Sequence, residues 1–222
     1  MATEVDTKDC TALSDAELAE MADLCVDGPA HLDIGVISKQ VDEWVLISQV
    51  RIDGKLWAFG FCTLERIGGT PSLLIGLASV KRGAKRSTAL KAMITDQFRR
   101  AVLAFPDEDV VIGTRMADAG AFEAYKTLED VIPRPGYKAT GEERAWGRRL
   151  AKRFGVEKSY DDRTFTVTGG DNPALGLDYE ALASEKINKD VAAQFDHLDV
   201  KRGDCLVTFG WAMAEDLAAL GD

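Results

Sequence analysis

Four cations, Lys81, Arg82, Lys85 and Arg86, crowd into one turn of a chain whose formal net charge is −10. The turn reads KRGAKRS. It lies between an uncharged run, SLLIGLASV (72–80), and a segment that repeats apolar residues at Leu90, Met93, Ile94, Phe98 and Val102. That second segment has a period near 3.6, so the order is buried strand, basic turn, amphipathic helix. A helix N-terminus presents backbone N–H groups that have no partner within the helix, and the macrodipole is positive there. Such a turn is suited to holding the phosphates of a small cofactor. The bland alternative is a solvated cationic loop.

The elements that position this turn follow from the rest of the chain. Ser14 with Glu17 three residues on has the form of a capping box. It opens a helix that carries Leu18, Met21, Ala22 and Cys25 and ends near Asp27-Gly28-Pro29. Residues 1–12 read as a loose arm and IGVIS (34–38) as a short strand. EWVLISQVRI and KLWAFGFCTLERI flank Asp53-Gly54, a hairpin signal, and the run 72–80 continues them as an antiparallel meander. Pro106 closes the long helix, and DVVIGTR (109–115) is a second buried strand, parallel to the first through the helical crossover. AGAFEAYKTLEDV reads as a short helix and GEERAWGRRLAKRFG (141–155) as a basic one. RTFTVTG reads as a strand, 179–195 as helical, and CLVTFGWAM (205–213) as a last strand.

The expected fold class is α/β, a mixed sheet flanked by helices. The expected organisation is a single domain over 1–222, with a core at about 14–130 and an extension at about 131–222 that completes the sheet. Hydrophobic residues at 46% suffice to bury a core. No apolar run approaches the roughly 20 residues of a membrane span, and Met1–Asp9 carries neither a cationic nor an apolar leader, so a cytoplasmic location is expected. A pI near 4.8 argues against broad nucleic-acid binding. Four scattered cysteines and two histidines argue against a metal site or a disulfide framework.

The sequence of elements, with two local motifs, resembles the GNAT acyltransferase superfamily. That family follows its fourth strand with R-G-x-G-x-G/A; here the residues are Arg82-Gly83-Ala84-Lys85-Arg86-Ser87, with Leu90 at the aliphatic helix position. Its second signature, N-x-x-A-x-x-x-Y, is matched by Asp118-Ala119-Gly120-Ala121-Phe122-Glu123-Ala124-Tyr125. The resemblance covers about 14–130. It departs at Lys85 and Ser87, where small residues are usual, and at Lys126-Thr127-Leu128 after the tyrosine.

The resemblance implies an N-acyltransferase using acetyl-CoA or another acyl-CoA, with an amine of a small molecule or peptide as acceptor. It places the pantetheine arm on the backbone of Ala78 to Val80, with the Ala78 amide polarising the thioester carbonyl. The diphosphate falls on Arg82, Gly83, Ala84, Lys85, Arg86, Ser87 and Thr88, and Tyr125 becomes the general acid. For a general base, Glu65 on the preceding strand, Asp33 and water remain open. The alternative is a GNAT-fold binding or scaffold protein without acyl-CoA chemistry. Among the aromatics, Trp57, Phe59 and Phe61 read as one core-facing stripe, whereas Trp44 and Trp146 are candidates for an acceptor cleft. His31 and His197 read as loop and helix-end residues. The basic helix, with Arg144, Arg148, Arg149, Lys152 and Arg153, reads as a solvated face or a place for an acidic partner. A homodimer is a further expectation, drawn from an edge strand and the run 205–213.

Overall fold

The computed structural model describes residues 2–28, 32–170 and 174–219. Its centre is the predicted meander. Strand β2 (Leu46–Ile52) turns through Asp53 and Gly54, both at positive φ (52° and 78°), into β3 (Lys55–Ile67). This is the backbone that an Asp-Gly hairpin requires. Gly68 and Gly69, also at positive φ, lead into β4 (Thr70–Val80). The arm expected to be loose is instead an edge strand, β1 (Thr3–Asp9), antiparallel to β2 from Thr3↔Ile52 to Asp9↔Leu46. Its one apolar residue, Val5, gives almost no alternation signal; the ladder on β2 supplies what the sequence pattern lacks.

Helix α1 (Asp15–Cys25) starts on the predicted capping box. Ser14 accepts from the Glu17 amide, and the Glu17 carboxylate accepts from Ser14 N–H at 2.9 Å. The expected strand at 34–38 is in fact the start of α2 (Ile34–Glu43). Asp33 caps it by accepting from Val36 N–H at 2.9 Å, and Ile37 with Gln40 forms the buried stripe. Five residues of mixed polarity hold too little of either period to distinguish the two structures. On the other side of the sheet lies α3 (Arg86–Ala104), burying Ala89, Leu90, Met93, Ile94, Gln97, Phe98 and Ala101.

From α3 the chain enters β5 (Val110–Met116), parallel to β4 with Ser72↔Val111, Leu73↔Ile112 and Leu74↔Gly113 in register. Residues 119–131, expected to be helical, divide into a 3-10 segment, Ala119–Tyr125, and a short strand, β6 (Glu129–Ile132). Helix α4 (Gly141–Arg153) follows the expected bounds closely. Beyond it, β7 (Tyr160–Asp161), β8 (Thr166–Val167), β9 (Leu177–Asp178) and β10 (Cys205–Ala212) all join the same sheet. The strand read from RTFTVTG is thus only two residues long. The helix expected over 179–195 shrinks to α5 (Lys189–Ala193), because Leu177 and Tyr179 are drawn into the sheet and its core. A last short helix, α6 (Ala214–Ala218), lies against α3.

The strand order is β1-β2-β3-β4-β9-β5-β10-β8-β7, with β6 on β10. Two buried clusters cover the two faces of this mixed sheet. One joins α3, residues 121–125, Tyr179 and Leu217; the other joins α1, α2 and α4. Among the described residues no helix is long and apolar enough to cross a membrane.

Strand β4 is buried from Pro71 to Val80 and carries a bulge: Gly60 pairs with Ala78 but Cys62 pairs with Ile75, so β4 has one residue more than β3. Gly76 lies within the bulge, and a Cβ there would collide with the indole of Trp44. Gly76→Ala is expected to lower stability by about 1–3 kcal/mol, the usual cost of overpacking a core, as read from the urea midpoint. An unchanged midpoint would show that Trp44 is free to move and that the bulge does not depend on this contact.

Candidate functional site

The bulge has a consequence for the backbone beyond it. β4 and β5 pair only as far as Leu74 and Gly113, and the last link between them is the Thr114 hydroxyl donating to the Ile75 carbonyl at 2.8 Å. A bulge bends its strand and increases local twist, so the two parallel strands diverge after this point. The result is a V in the middle of the sheet, with the Ala78 N–H on one inner edge. This splay is the place where the sequence resemblance puts an acyl-CoA arm.

Here the V holds a piece of the chain itself. Strand β9 lies parallel to both neighbours, with Ala78↔Leu177 and Ser79↔Asp178 on one side and Met116↔Leu177 on the other. The Ala78 amide donates to the Gly176 carbonyl at 3.0 Å. Leu177 and Tyr179 are fully buried, at 2% and 0% exposure. Gly176 has no room for a side chain against the Arg115 carbonyl. A Cβ on Gly120 would stand 2.7 Å from the Ala181 nitrogen and 2.9 Å from the Tyr179 oxygen.

The carboxylates that follow this strand occupy the basic turn. Asp178 is held in a fork by Arg82, through Nη1 at 2.5 Å and Nη2 at 2.6 Å, and accepts from the Ser79 hydroxyl at 3.1 Å. Glu180 lies 3.5 Å from Arg82 and 3.7 Å from Arg86. Arg86 also donates to the Ala181 carbonyl at 2.7 Å. Glu185 accepts from the Tyr179 hydroxyl at 2.7 Å and from Leu182 N–H at 2.6 Å. Burial pushes the Glu185 carboxyl upward, but hydrogen bonds from Tyr179, Leu182 and Ser87 outweigh it and hold the group below its ordinary value. Arg82 titrates higher than usual: burial works against its charge, and the Asp178 fork overcomes that.

The other residues of the turn divide. Lys85 is the residue before α3 and turns outward, pairing with Asp53 at 2.8 Å and lying 5.8 Å from the Trp57 ring centroid. Gly83 and Ala84 form the backbone of the turn, Thr88 is exposed, and Val80 is fully buried, its carbonyl accepting from Arg82 at 3.3 Å. Trp57 does not share a face with Phe59 and Phe61. Val50 pairs with Ala58 and Arg51 with Leu56, so Trp57 is the extra residue of a second bulge and sits beneath the basic turn.

Two expected catalytic residues do not meet the V. Glu65 pairs with Ser72, six residues before Ala78 along β4, which is about 20 Å away at the usual strand rise. Its carboxylate is bound to Arg153 at 2.7 Å, so as a base for chemistry at Ala78 it is out of reach. Tyr125 is buried, and its hydroxyl lies 3.3 Å from the Ile112 carbonyl and 3.4 Å from the Thr208 carbonyl, on the seam between β5 and β10. Burial pushes its pKa up. Asp33 is a helix cap, as described. Trp44 and Trp146 are core residues at 5% exposure rather than the walls of a cleft. His197 is exposed, with its ring 3.0 Å from the Thr166 hydroxyl, and His31 lies outside the described residues. Cations of α4 find local partners: Arg148 pairs with Asp162, Arg153 with Glu65, and Arg149 covers the Trp146 ring.

The residues missed from the sequence are Gly176, Asp178, Glu180 and Glu185. One signal was present in LGLDYEALASE: Leu175, Leu177 and Tyr179 alternate with Gly176, Asp178 and Glu180, a period of two and not of 3.6.

No protein-family model matches this chain, and no curated protein matches it. Among solved structures it is similar to the ribosomal-protein-alanine N-acetyltransferase of Brucella melitensis biovar Abortus 2308, at 19% identity over 50% of this chain and 79% of that one, with a TM-score of 0.37. It is similar to an acetyltransferase of the GNAT family from Streptococcus pneumoniae, at 10% identity over 60% and 91%, with a TM-score of 0.38. Escherichia coli ElaA gives 16% over 63% and 95%, with a TM-score of 0.39. Identities and TM-scores this low say nothing about substrate or mechanism in this chain.

Thiol chemistry is the remaining candidate for a nucleophile. All four cysteines are buried, and burial pushes Cys10 and Cys62 up to about 12 and Cys25 and Cys205 up to about 11. Thiolate is the reactive form, so these groups are inert near neutrality. Among the described residues no group of three or more His, Cys, Asp or Glu is placed to hold a metal ion. At pH 8 a disulfide reagent such as DTNB is expected to leave the native chain unlabelled and to label all four cysteines after unfolding. Rapid stoichiometric labelling of the native chain would show an activated thiol.

Proposed function

We propose that this chain is an acyl-CoA-dependent N-acyltransferase of the GNAT type, and that residues 174–185 hold its acyl-CoA slot closed in the ligand-free form. The acceptor is an amine of a small molecule or peptide, and the acyl group is acetyl in the simplest case. The observation that carries this reading is the chemistry of what fills the V. An extended backbone sits on the Ala78 amide, and carboxylates sit on Arg82 and Arg86. Those are the interactions that a ligand with an amide-bearing arm and an anionic diphosphate would make.

The donors fit acyl-CoA; the space is taken by the chain. When bound, acyl-CoA supplies an acyl group activated as a thioester. With residues 174–185 withdrawn, the Ala78 N–H is free to hydrogen-bond the thioester oxygen, as in an oxyanion site. Arg82 and Arg86, released from Asp178 and Glu180, pair with the diphosphate near the N-terminus of α3. The amine nitrogen bonds to the acyl carbon and the carbon–sulfur bond breaks. The proton that the amine loses balances the one that the thiolate gains. Glu65 has no part in this scheme, and Tyr125 remains on the β5–β10 seam.

Closure has a cost that the ligand must overcome. Burying a side chain such as Leu177 is worth about 1.5–3 kcal/mol, and Tyr179 is of the same order. Together they contribute about 3–6 kcal/mol to the closed form, partly offset by the entropy of ordering the segment, so apparent ligand affinity falls by at most about 10²–10⁴-fold.

A second reading has its own support. Gly120 lies so close to the segment, and Gly176 of the segment so close to the Arg115 backbone, that the body of the protein is moulded to it, as it would be in a GNAT-fold scaffold whose slot never opens. Calorimetric titration with CoA separates the two. The double variant Asp178→Ala, Glu180→Ala is expected to bind CoA at least about tenfold more tightly than wild type, and adding Arg82→Ala is expected to abolish the gain. A double variant that is folded by circular dichroism yet takes no CoA at millimolar concentration would establish the scaffold reading instead.

A further inference from the structure

On β5, Arg115 immediately precedes Met116, the residue that pairs with Leu177 in the V. It is 6% exposed, and its Nε has no acceptor. Among the described residues no carboxylate pairs with its guanidinium. Burial lowers its pKa, against weaker opposing effects of Cys205 and Glu43. Among the described residues, the guanidinium lies against the face of Phe154, whose ring centroid is 5.1 Å from Cζ. A cation–π contact compensates only part of the cost of taking a charge out of water. Buried charges are ordinarily paired, so an arginine in this condition calls for an anion that none of the described residues provides.

The space for that anion is present. Arg115 lines a cavity of 250 Å³ together with Leu32, Ala117, Asp118, Gly176 and Leu177. Among the described residues, the two acids on its wall are otherwise engaged: Asp118 accepts from Gly120 N–H at 2.6 Å, and Asp178 is held by Arg82. Because Gly176 and Leu177 belong both to this cavity and to the filling of the V, the cavity adjoins the Ala78 amide; Arg115, Ala117 and Asp118 lie outside residues 174–185 and keep their part of its wall when that segment withdraws.

We infer that this cavity is the acceptor subsite and that the acceptor carries a carboxylate, gripped in a fork by Arg115. The chemical class is a small α-amino acid or an equivalent amino-carboxylate. Arg115 takes its carboxylate, and the Asp118 carboxylate on the same wall faces its ammonium group. A planar guanidinium suits a carboxylate as a lysine would not, since it offers two parallel N–H donors. That this ligand is an acceptor rests on the acyltransferase reading above; the binding of a carboxylate does not.

The test uses the full chain without CoA, at constant ionic strength. Glycine, alanine and serine are compared with glycinamide, alaninamide and serinamide by thermal shift and calorimetry. The amino acids are expected to raise Tm and to bind at least about tenfold more tightly than their amides. Arg115→Gln is expected to lose that preference and Arg115→Lys to keep part of it. Arg115→Met, which replaces an unpaired buried charge by an apolar chain, is expected to melt no lower than wild type while showing no response to amino acids. Equal binding of acids and amides, no binding at tens of millimolar, or an undiminished preference in the folded Lys and Met variants would each overturn the assignment. Amino-acid binding without any CoA binding in the Asp178, Glu180 variant removes the acyltransferase reading and leaves the carboxylate site. The converse result removes the site alone.

Discussion

The hydrogen bond from Ala78 N–H to the Gly176 carbonyl closes a gap that the fold opens in its own centre. One extra residue in β4 bends that strand away from β5, and beyond Leu74 and Gly113 the two strands no longer pair with each other. Unpaired backbone in a dry interior costs about 1–3 kcal/mol for each group, so the middle of a sheet does not stay open. Either a ligand or another strand must enter. In this chain β9 enters, and the course of the extension follows from that. β10 takes the far side of β5 and β8 takes the far side of β10, so residues 160–212 wrap the side of the sheet away from β1.

Charge divides the basic turn in two. Arg82 and Arg86 face inward and meet Asp178, Glu180 and the Ala181 carbonyl. Lys85 faces outward and meets Asp53 across two half-exposed side chains. The outer pair contributes little, because water competes for both ends. The inner fork is mostly covered and directional, and it fixes where β9 lies. The lysine that departs from the GNAT pattern is therefore not an obstacle within the slot. It leans on Trp57, which the bulge in β3 has turned to that face.

The meander, the crossover helix and the parallel strand after it were legible because each is long and keeps one period throughout. The glycines at 54, 68 and 69 punctuate them where positive φ is needed. The candidate site was legible in one half only. Arg82, Arg86 and Ala78 stand where the strand and turn place them, but their partners lie about 100 residues further on, in a segment with two hydrogen-bonded strand residues. So short a strand has no stability of its own and exists only because the V accepts it, which no local pattern records. Strand β1 and helix α2 were misread for related reasons: the first depends on its ladder with β2 and the second on the Asp33 cap. Tyr125 is read from the second motif, and Glu65 from the lack of a carboxylate on the central strand; the Tyr125 hydroxyl lies on the β5–β10 seam, and Glu65 lies about 20 Å along the sheet from Ala78.

Whether the V opens depends on what the entering ligand can replace. A diphosphate on Arg82 and Arg86 replaces the carboxylates of Asp178 and Glu180, and an amide-bearing arm replaces the Gly176 carbonyl, so those terms nearly cancel between the two states. The apolar burial of Leu177 and Tyr179 does not cancel, because a pantetheine arm has little apolar surface to offer in return. An acyl chain does have such surface, at about 0.8 kcal/mol for each methylene buried. On that scale about four to eight methylenes match the 3–6 kcal/mol held by the two side chains. An acetyl group returns almost none of it. On the acyltransferase reading, the contacts that hold the closed form oppose acetyl more than a longer acyl group, and the size of the apolar plug, more than the number of charges in the turn, sets the balance between a gated slot and a sealed one.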